Sequence, residues 1–112
     1  MSLGCEIRTV TFADNLAALP ETAHLAGVEL TDPAGGLWRI ENVPGSQGSV
    51  RVYAWLLGKY ALLDASAAAD GLVLYAEHTA DARAHPGKHP NIDRLLAIRA
   101  DGRAWRGRIL TG

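Results

Sequence analysis

Arg94-Leu95-Leu96-Ala97-Ile98-Arg99-Ala100-Asp101-Gly102-Arg103-Ala104-Trp105-Arg106-Gly107-Arg108-Ile109-Leu110 is the stretch on which the reading of this chain turns. Two apolar-bearing runs flank Asp101-Gly102, a dipeptide suited to a two-residue hairpin turn because both central positions need positive φ. Pairing Ala100 with Arg103 sets Ile98 against Trp105, Leu96 against Gly107 and Arg94 against Ile109. That register collects Leu96, Ile98, Trp105 and Ile109 on one face. Arg99, Arg106 and Arg108 go to the other, with Leu95, Ala97 and Ala104 between them. A slip of one residue would bury three arginines, so the register is strongly specified. The pattern predicts a C-terminal β-hairpin.

Working back along the chain, the same logic finds a second hairpin. Val28–Thr31 and Leu37–Val43 alternate apolar and polar residues around Asp32-Pro33-Ala34-Gly35-Gly36, a loop with one fixed φ and two free ones. Ile7–Phe12 is β-branched and alternating and predicts an N-terminal strand; Asp14 then stands as the cap of a short helix that Pro20 stops. Between the hairpins the period changes. Ser49 is placed to cap a helix carrying Val50, Tyr53, Ala54 and Leu57 at helical spacing. Asp64 caps another, with Ala68, Leu72, Tyr75, Thr79 and Ala82 on one stripe and Pro86-Gly87 at its end. The expected fold is α+β: an antiparallel sheet from two hairpins plus an N-terminal strand, with two central helices packed on one face.

At 112 residues, with 48% apolar and 21% charged side chains, the composition is that of one globular domain spanning residues 1–112. Cys5 is the single cysteine, so no intrachain disulfide is available and a cytoplasmic setting is expected. No apolar run approaches the ~20 residues a membrane-spanning helix requires. The net charge of −1 conceals a gradient: residues 1–82 are net acidic, while residues 83–112 carry seven Arg or Lys against two acids. Such a gradient can mark an anion-binding end, or two parts that face each other within the fold or across a subunit contact.

Three groups of residues could carry chemistry. Pro44-Gly45-Ser46-Gln47-Gly48-Ser49, leading into a helix with Arg51 in its first turn, is a plausible anion cradle. It lacks the Gly-Lys-Ser/Thr ending of a P-loop and the three spaced glycines of a dinucleotide fingerprint, and its plain alternative is a loop whose serines cap a helix. The second group runs from Glu77 to Arg94 and holds His78, Asp81, His85, Lys88, His89, Asn91 and Arg94. It could bind a phosphate or carboxylate, or place a histidine as a general base oriented by Asp81 or Glu77. Its plain alternative is a solvated helix end followed by a proline-fixed loop. A metal held by His78, His85 and His89 is disfavoured, because Pro86-Gly87 and Pro90 break the helical spacing the ligands would need. The third group, Arg99, Arg103, Arg106 and Arg108, has no interleaved aromatic residue, and the chain is acidic overall, so nucleic acid is disfavoured as a partner. No nucleophile elbow and no cofactor fingerprint are present in the sequence.

Glu41-Asn42-Val43-Pro44-Gly45-Ser46-Gln47-Gly48-Ser49-Val50-Arg51-Val52-Tyr53 is similar to the corresponding stretch of a small family of uncharacterised bacterial proteins, as is the segment from Leu74 to Leu96. The resemblance spans the chain from the Phe12–Leu19 segment onward and implies a stand-alone bacterial domain; it implies no activity, cofactor or catalytic residue. The leading expectation is therefore a small binding module whose anion site is built from Ser46, Gly48, Ser49, Arg51, Lys88, His89, Asn91 and Arg94. The rival expectations are a small acid–base enzyme using His78, His85 or His89 with Asp81 or Glu77, and a structural or oligomerising protein such as a homodimer.

Overall fold

A computed structural model describes residues 10–112. Along these residues the elements are α1 (Phe12–Ala18), β1 (Leu25–Thr31), β2 (Leu37–Glu41), α2 (Gln47–Tyr60), β3 (Leu62–Leu63), α3 (Ala65–Tyr75), α4 (Glu77–Ala84), α5 (Pro90–Asp101) and β4 (Trp105–Thr111). The fold is α+β. Among the described residues the strands form a sheet of order β2-β1-β4-β3, and every neighbouring pair is antiparallel.

The first hairpin forms as its alternation requires, with Val28 opposite Ile40 and Leu30 opposite Trp38. The C-terminal hairpin does not form. Pro90–Asp101 is a helix, and β4 pairs with β1 and β3 instead of with residues 94–100. Three local features explain the outcome. Pro90 lies in the first turn, where its missing N–H costs nothing and its fixed φ suits a helix. The run from Arg94 to Ala100 consists of good helix formers with Ile98 as its one β-branched residue. Ile92, Leu95 and Ile98 recur every three residues and are all buried, a helical stripe that alternation splits between two faces. Gly102 then closes the helix at φ 71, its N–H donating to the Ile98 carbonyl at 2.8 Å. Asp101-Gly102 is thus a helix terminus.

Other expectations are adjusted similarly. Residues 7–9 of the expected N-terminal strand lie outside the described residues; Val10 and Thr11 belong to no strand, and Phe12 begins α1. Thr11 is the cap of α1. Its hydroxyl accepts from the Asp14 N–H at 3.2 Å while Asp14 Oδ2 accepts from the Thr11 N–H at 3.1 Å, a reciprocal box that makes Asp14 the third helical residue. Asp64 does cap α3, accepting from the Ala67 N–H at 2.9 Å. The single long helix expected after Asp64 breaks at Ala76, which sits at φ 51, so α3 and α4 are separate. The buried Thr79 hydroxyl donates to the Leu72 carbonyl at 2.6 Å and satisfies an acceptor near the break.

All helices that contribute to the core lie on the sheet face carrying Val28, Leu30, Ile40 and Leu63. Gly107 on β4 allows α2 to approach: a Cβ there would stand 2.8 Å from a Leu57 methyl. Gly71 on α3 does the same for α5, since a Cβ would stand 2.6 Å from a Leu95 methyl. The opposite sheet face carries charge, with Arg108 Nε 2.9 Å from Glu29 Oε1 and Arg39 Nε 2.9 Å from Glu41 Oε1. Arg106 and Arg108 therefore lie away from the helices, as the strand pattern of 103–110 requires; Arg99 belongs to the last turn of α5.

Candidate functional site

A cavity of about 290 Å³ opens where the first turns of α2 and α5 meet the α3–α4 corner. Gly48 and Ser49 line it from α2, Pro90, Asn91 and Ile92 from α5, and His78 from α4. Lys88 and His89 complete the wall from the loop between α4 and α5. The floor is aromatic. Phe12 and Tyr75 stack with centroids 5.1 Å apart and planes inclined by 20°, and Tyr75 Oη donates to Ser49 Oγ at 2.7 Å. Burial pushes the Tyr75 phenol far above its usual range, so that hydroxyl stays a donor at any working pH.

The titratable groups form a chain through Asp81. His89 Nε2 lies 2.6 Å from Asp81 Oδ2, and Lys88 Nζ lies 2.9 Å from the same oxygen. Hydrogen bonds from His89 and Lys88 hold the Asp81 carboxyl down to about 2, so it is ionised at neutral pH. An imidazole bonded through Nε2 to a carboxylate has its ring plane fixed and presents its other edge elsewhere. The His78 ring sits 5.8 Å from that of His89, centroid to centroid, and meets Phe12 edge-on at 5.1 Å. Among the described residues no side chain caps α2 or α5. In α5 Pro90 has no N–H, and the Ile92 and Asp93 N–H groups donate to the His89 carbonyl at 3.0 and 2.8 Å. The first-turn N–H groups left for water or a ligand are those of Asn91 and, in α2, of Gln47, Gly48 and Ser49.

Of the residues expected to bind an anion, Gly48, Ser49, Lys88, His89 and Asn91 line this cavity. Ser46, Arg51 and Arg94 do not. The Ser46 hydroxyl donates to the Glu41 and Val43 carbonyls and is spent on its own loop. The Arg51 guanidinium donates to the Leu19 carbonyl at 2.7 Å and the Pro20 carbonyl at 3.1 Å, tying α2 to the end of α1. Arg94 Nη1 donates to Tyr53 Oη at 3.1 Å and Asn91 Oδ1 at 3.0 Å, behind the cavity wall. Of the candidate acid–base residues, His78 and His89 face the cavity and Asp81 supports His89. His85 is mostly exposed, 3.8 Å from Asp81 Oδ1, and is not among the residues that line this cavity. Glu77 is engaged elsewhere: its Oε1 accepts from the Phe12 N–H at 2.7 Å, a bond that lowers its carboxyl below the ordinary range.

Sequence reasoning missed Phe12 and Tyr75, which the sequence places 63 positions apart, and it missed Tyr53. Buried Tyr53 donates to the Asn91 carbonyl at 2.5 Å and is pushed up to about 12 by burial, fastening α2 beneath the first turn of α5. Tyr53 and Tyr75 each stand on the apolar stripe of a helix read from the sequence; which tyrosine meets the cavity depends on helix packing.

A family of uncharacterised proteins conserved in bacteria, DUF2322, matches residues 12–109. The chain belongs to DUF2322. The match takes in every described element, from α1 to most of β4, and every residue around the DUF2322 cavity named above. No curated protein and no solved structure matches the chain.

Proposed function

We propose that this domain binds a small phosphate- or carboxylate-bearing molecule in the cavity between α2 and α5. The observation that carries the reading is the placement of Lys88 and His89, both steadied by Asp81, across the cavity from the Gly48-Ser49 turn. An ammonium supplies a point charge, an imidazole a directed donor and the turn a set of N–H groups, which together suit a compact oxyanion. The volume lies at the small end of ligand sites, in keeping with a headgroup or small metabolite. The absence of any need for a disulfide agrees with a cytoplasmic setting.

The test is thermal unfolding of the full chain in inorganic phosphate against chloride at equal ionic strength. Phosphate at about ten times its Kd should stabilise the protein by roughly 1.4 kcal/mol. Lys88→Ala should weaken binding about ten-fold, whereas Arg51→Ala should leave it unchanged. No response of the unaltered chain to phosphate or to simple carboxylates would remove the reading.

A second reading has its own support: the 2.6 Å contact between His89 and Asp81 gives an oriented imidazole at a cavity wall, the arrangement general base catalysis uses. In that case Asp81→Asn would depress turnover of a bound ester far more than its affinity.

A further inference from the structure

A second cleft, of about 320 Å³, lies on the far side of Pro90 and is lined by Trp38, Pro90, Asp93, Arg94 and Trp105. Pro90, in the first turn of α5, is a wall of both this cleft and the anion cavity, so the two openings adjoin there. The cleft is aromatic and held rigid. Trp38 comes from the edge strand β2 and Trp105 from the start of β4, with ring centroids 6.3 Å apart and planes inclined by 41°. Trp38 Nε1 donates to Asp32 Oδ2 at 3.1 Å, which fixes the indole even though the residue is 51% exposed. Arg94 lies over Trp105 at 5.5 Å and over Tyr53 at 5.6 Å, with its Nη1 held by the two hydrogen bonds described above.

A large aromatic ring that is oriented by a hydrogen bond and left half in solvent is a stacking platform. Trp105 already carries a guanidinium, and the inclined rings leave no parallel-walled slot between them. A planar group would therefore lie across Trp38 at the mouth of the cleft, with Asp93, whose Oδ2 already accepts from the Gly87 N–H at 2.9 Å, offering its other carboxylate oxygen to an amino or imino edge. A planar heterocycle on one side of Pro90 and an oxyanion on the other describes a mononucleotide, whose sugar would bridge the proline. We propose that the two openings form one bipartite site for a nucleoside monophosphate, the phosphate with Lys88 and His89 and the base against Trp38. This rests on the anion-binding reading and adds the part of the ligand which that reading leaves unspecified.

The experiment is equilibrium binding to the full chain, by tryptophan fluorescence and calorimetry, of GMP, AMP, guanosine, ribose 5-phosphate and inorganic phosphate. A mononucleotide should bind at least about ten-fold more tightly than ribose 5-phosphate or the free nucleoside and should quench tryptophan emission. Trp38→Ala should erase that advantage and leave phosphate affinity unchanged, while Trp38→Phe, which keeps a ring, should retain part of it. Lys88→Ala should weaken nucleotide and phosphate alike. If ribose 5-phosphate binds as tightly as either nucleotide, or Trp38→Ala leaves the nucleotide advantage intact, the base does not use the cleft; the bipartite site is then wrong and the anion cavity stands. If none of the phosphorylated compounds binds, both fall together.

Discussion

Residues 25–41 and residues 90–111 each reverse the chain at an aspartate with glycine close behind, and they do it by different means. In the first, Asp32 Oδ1 accepts from the Ala34 N–H at 2.9 Å and the Gly36 N–H at 2.8 Å, and a strand returns beside the strand it left. In the second, Gly102 takes the left-handed conformation and ends a helix, Asp101 Oδ1 accepts from the Arg103 N–H at 2.8 Å, and the outgoing strand crosses to β1. Positive φ is common to both turns. What separates them is the spacing of the apolar residues ahead of the turn, and a proline four residues before Arg94 that had already started a helix.

Leu95 gives the largest lever on that difference. As a helix residue it is fully buried, whereas in a paired hairpin it would sit toward the arginine face. Leu95→Ala should lower stability by about 3 kcal/mol in urea denaturation, well above Leu96→Ala, whose side chain is only partly buried. A larger loss at Leu96 than at Leu95 would favour the strand arrangement. A smaller effect compares the turns directly. Gly35 and Gly102 have φ of 93 and 71, and a Cβ at either would meet nothing within 4 Å, so Gly35→Ala and Gly102→Ala should each cost about 1 kcal/mol through backbone conformation alone. Differential scanning calorimetry should show similar shifts in Tm.

The smallest effect is electrostatic. Asp81 steadies His89 just before α5 begins, with a carboxyl held at about 2 against an ordinary 3.8. A carboxyl lowered by folding stabilises the protein above its unfolded value, and that stabilisation is lost as the pH falls through the folded one. Stability should therefore decline between about pH 4 and pH 2, and Asp81→Asn should flatten part of the decline. Asp32 is lowered too, first by the Trp38 indole and then by the Gly36 N–H, so the decline should persist in part after the Asn substitution. Urea titrations at pH 6 and pH 3 would separate the two contributions.

The hairpin of 25–41 was legible because its alternation, loop and pairing are all local. The Asp64 cap was legible for the same reason. The β1–β4 pairing was not, because Val28 and Ile109 meet across most of the chain and both hairpin and cross-chain partners satisfy the pattern of 103–110. In the site, the sequence offered the 46–51 turn and the 85–94 loop as two donor-rich segments and left open whether they meet; Gly48 and Ser49 line one cavity with residues 88–91. That neither Arg51 nor Arg94 joins them did not follow, since the reach of each is decided by carbonyls and hydroxyls that only packing brings near.

Ala76 takes a backbone conformation that a residue bearing a Cβ adopts reluctantly, at a cost of order 1 kcal/mol, and the corner it makes leads directly into Glu77 and His78. Glycine there would relax the chain, at the expense of a joint that also has freedom to swing. Rigidity at the mouth of the cavity and comfort of the main chain are thus in opposition at one methyl group, and this protein keeps the methyl.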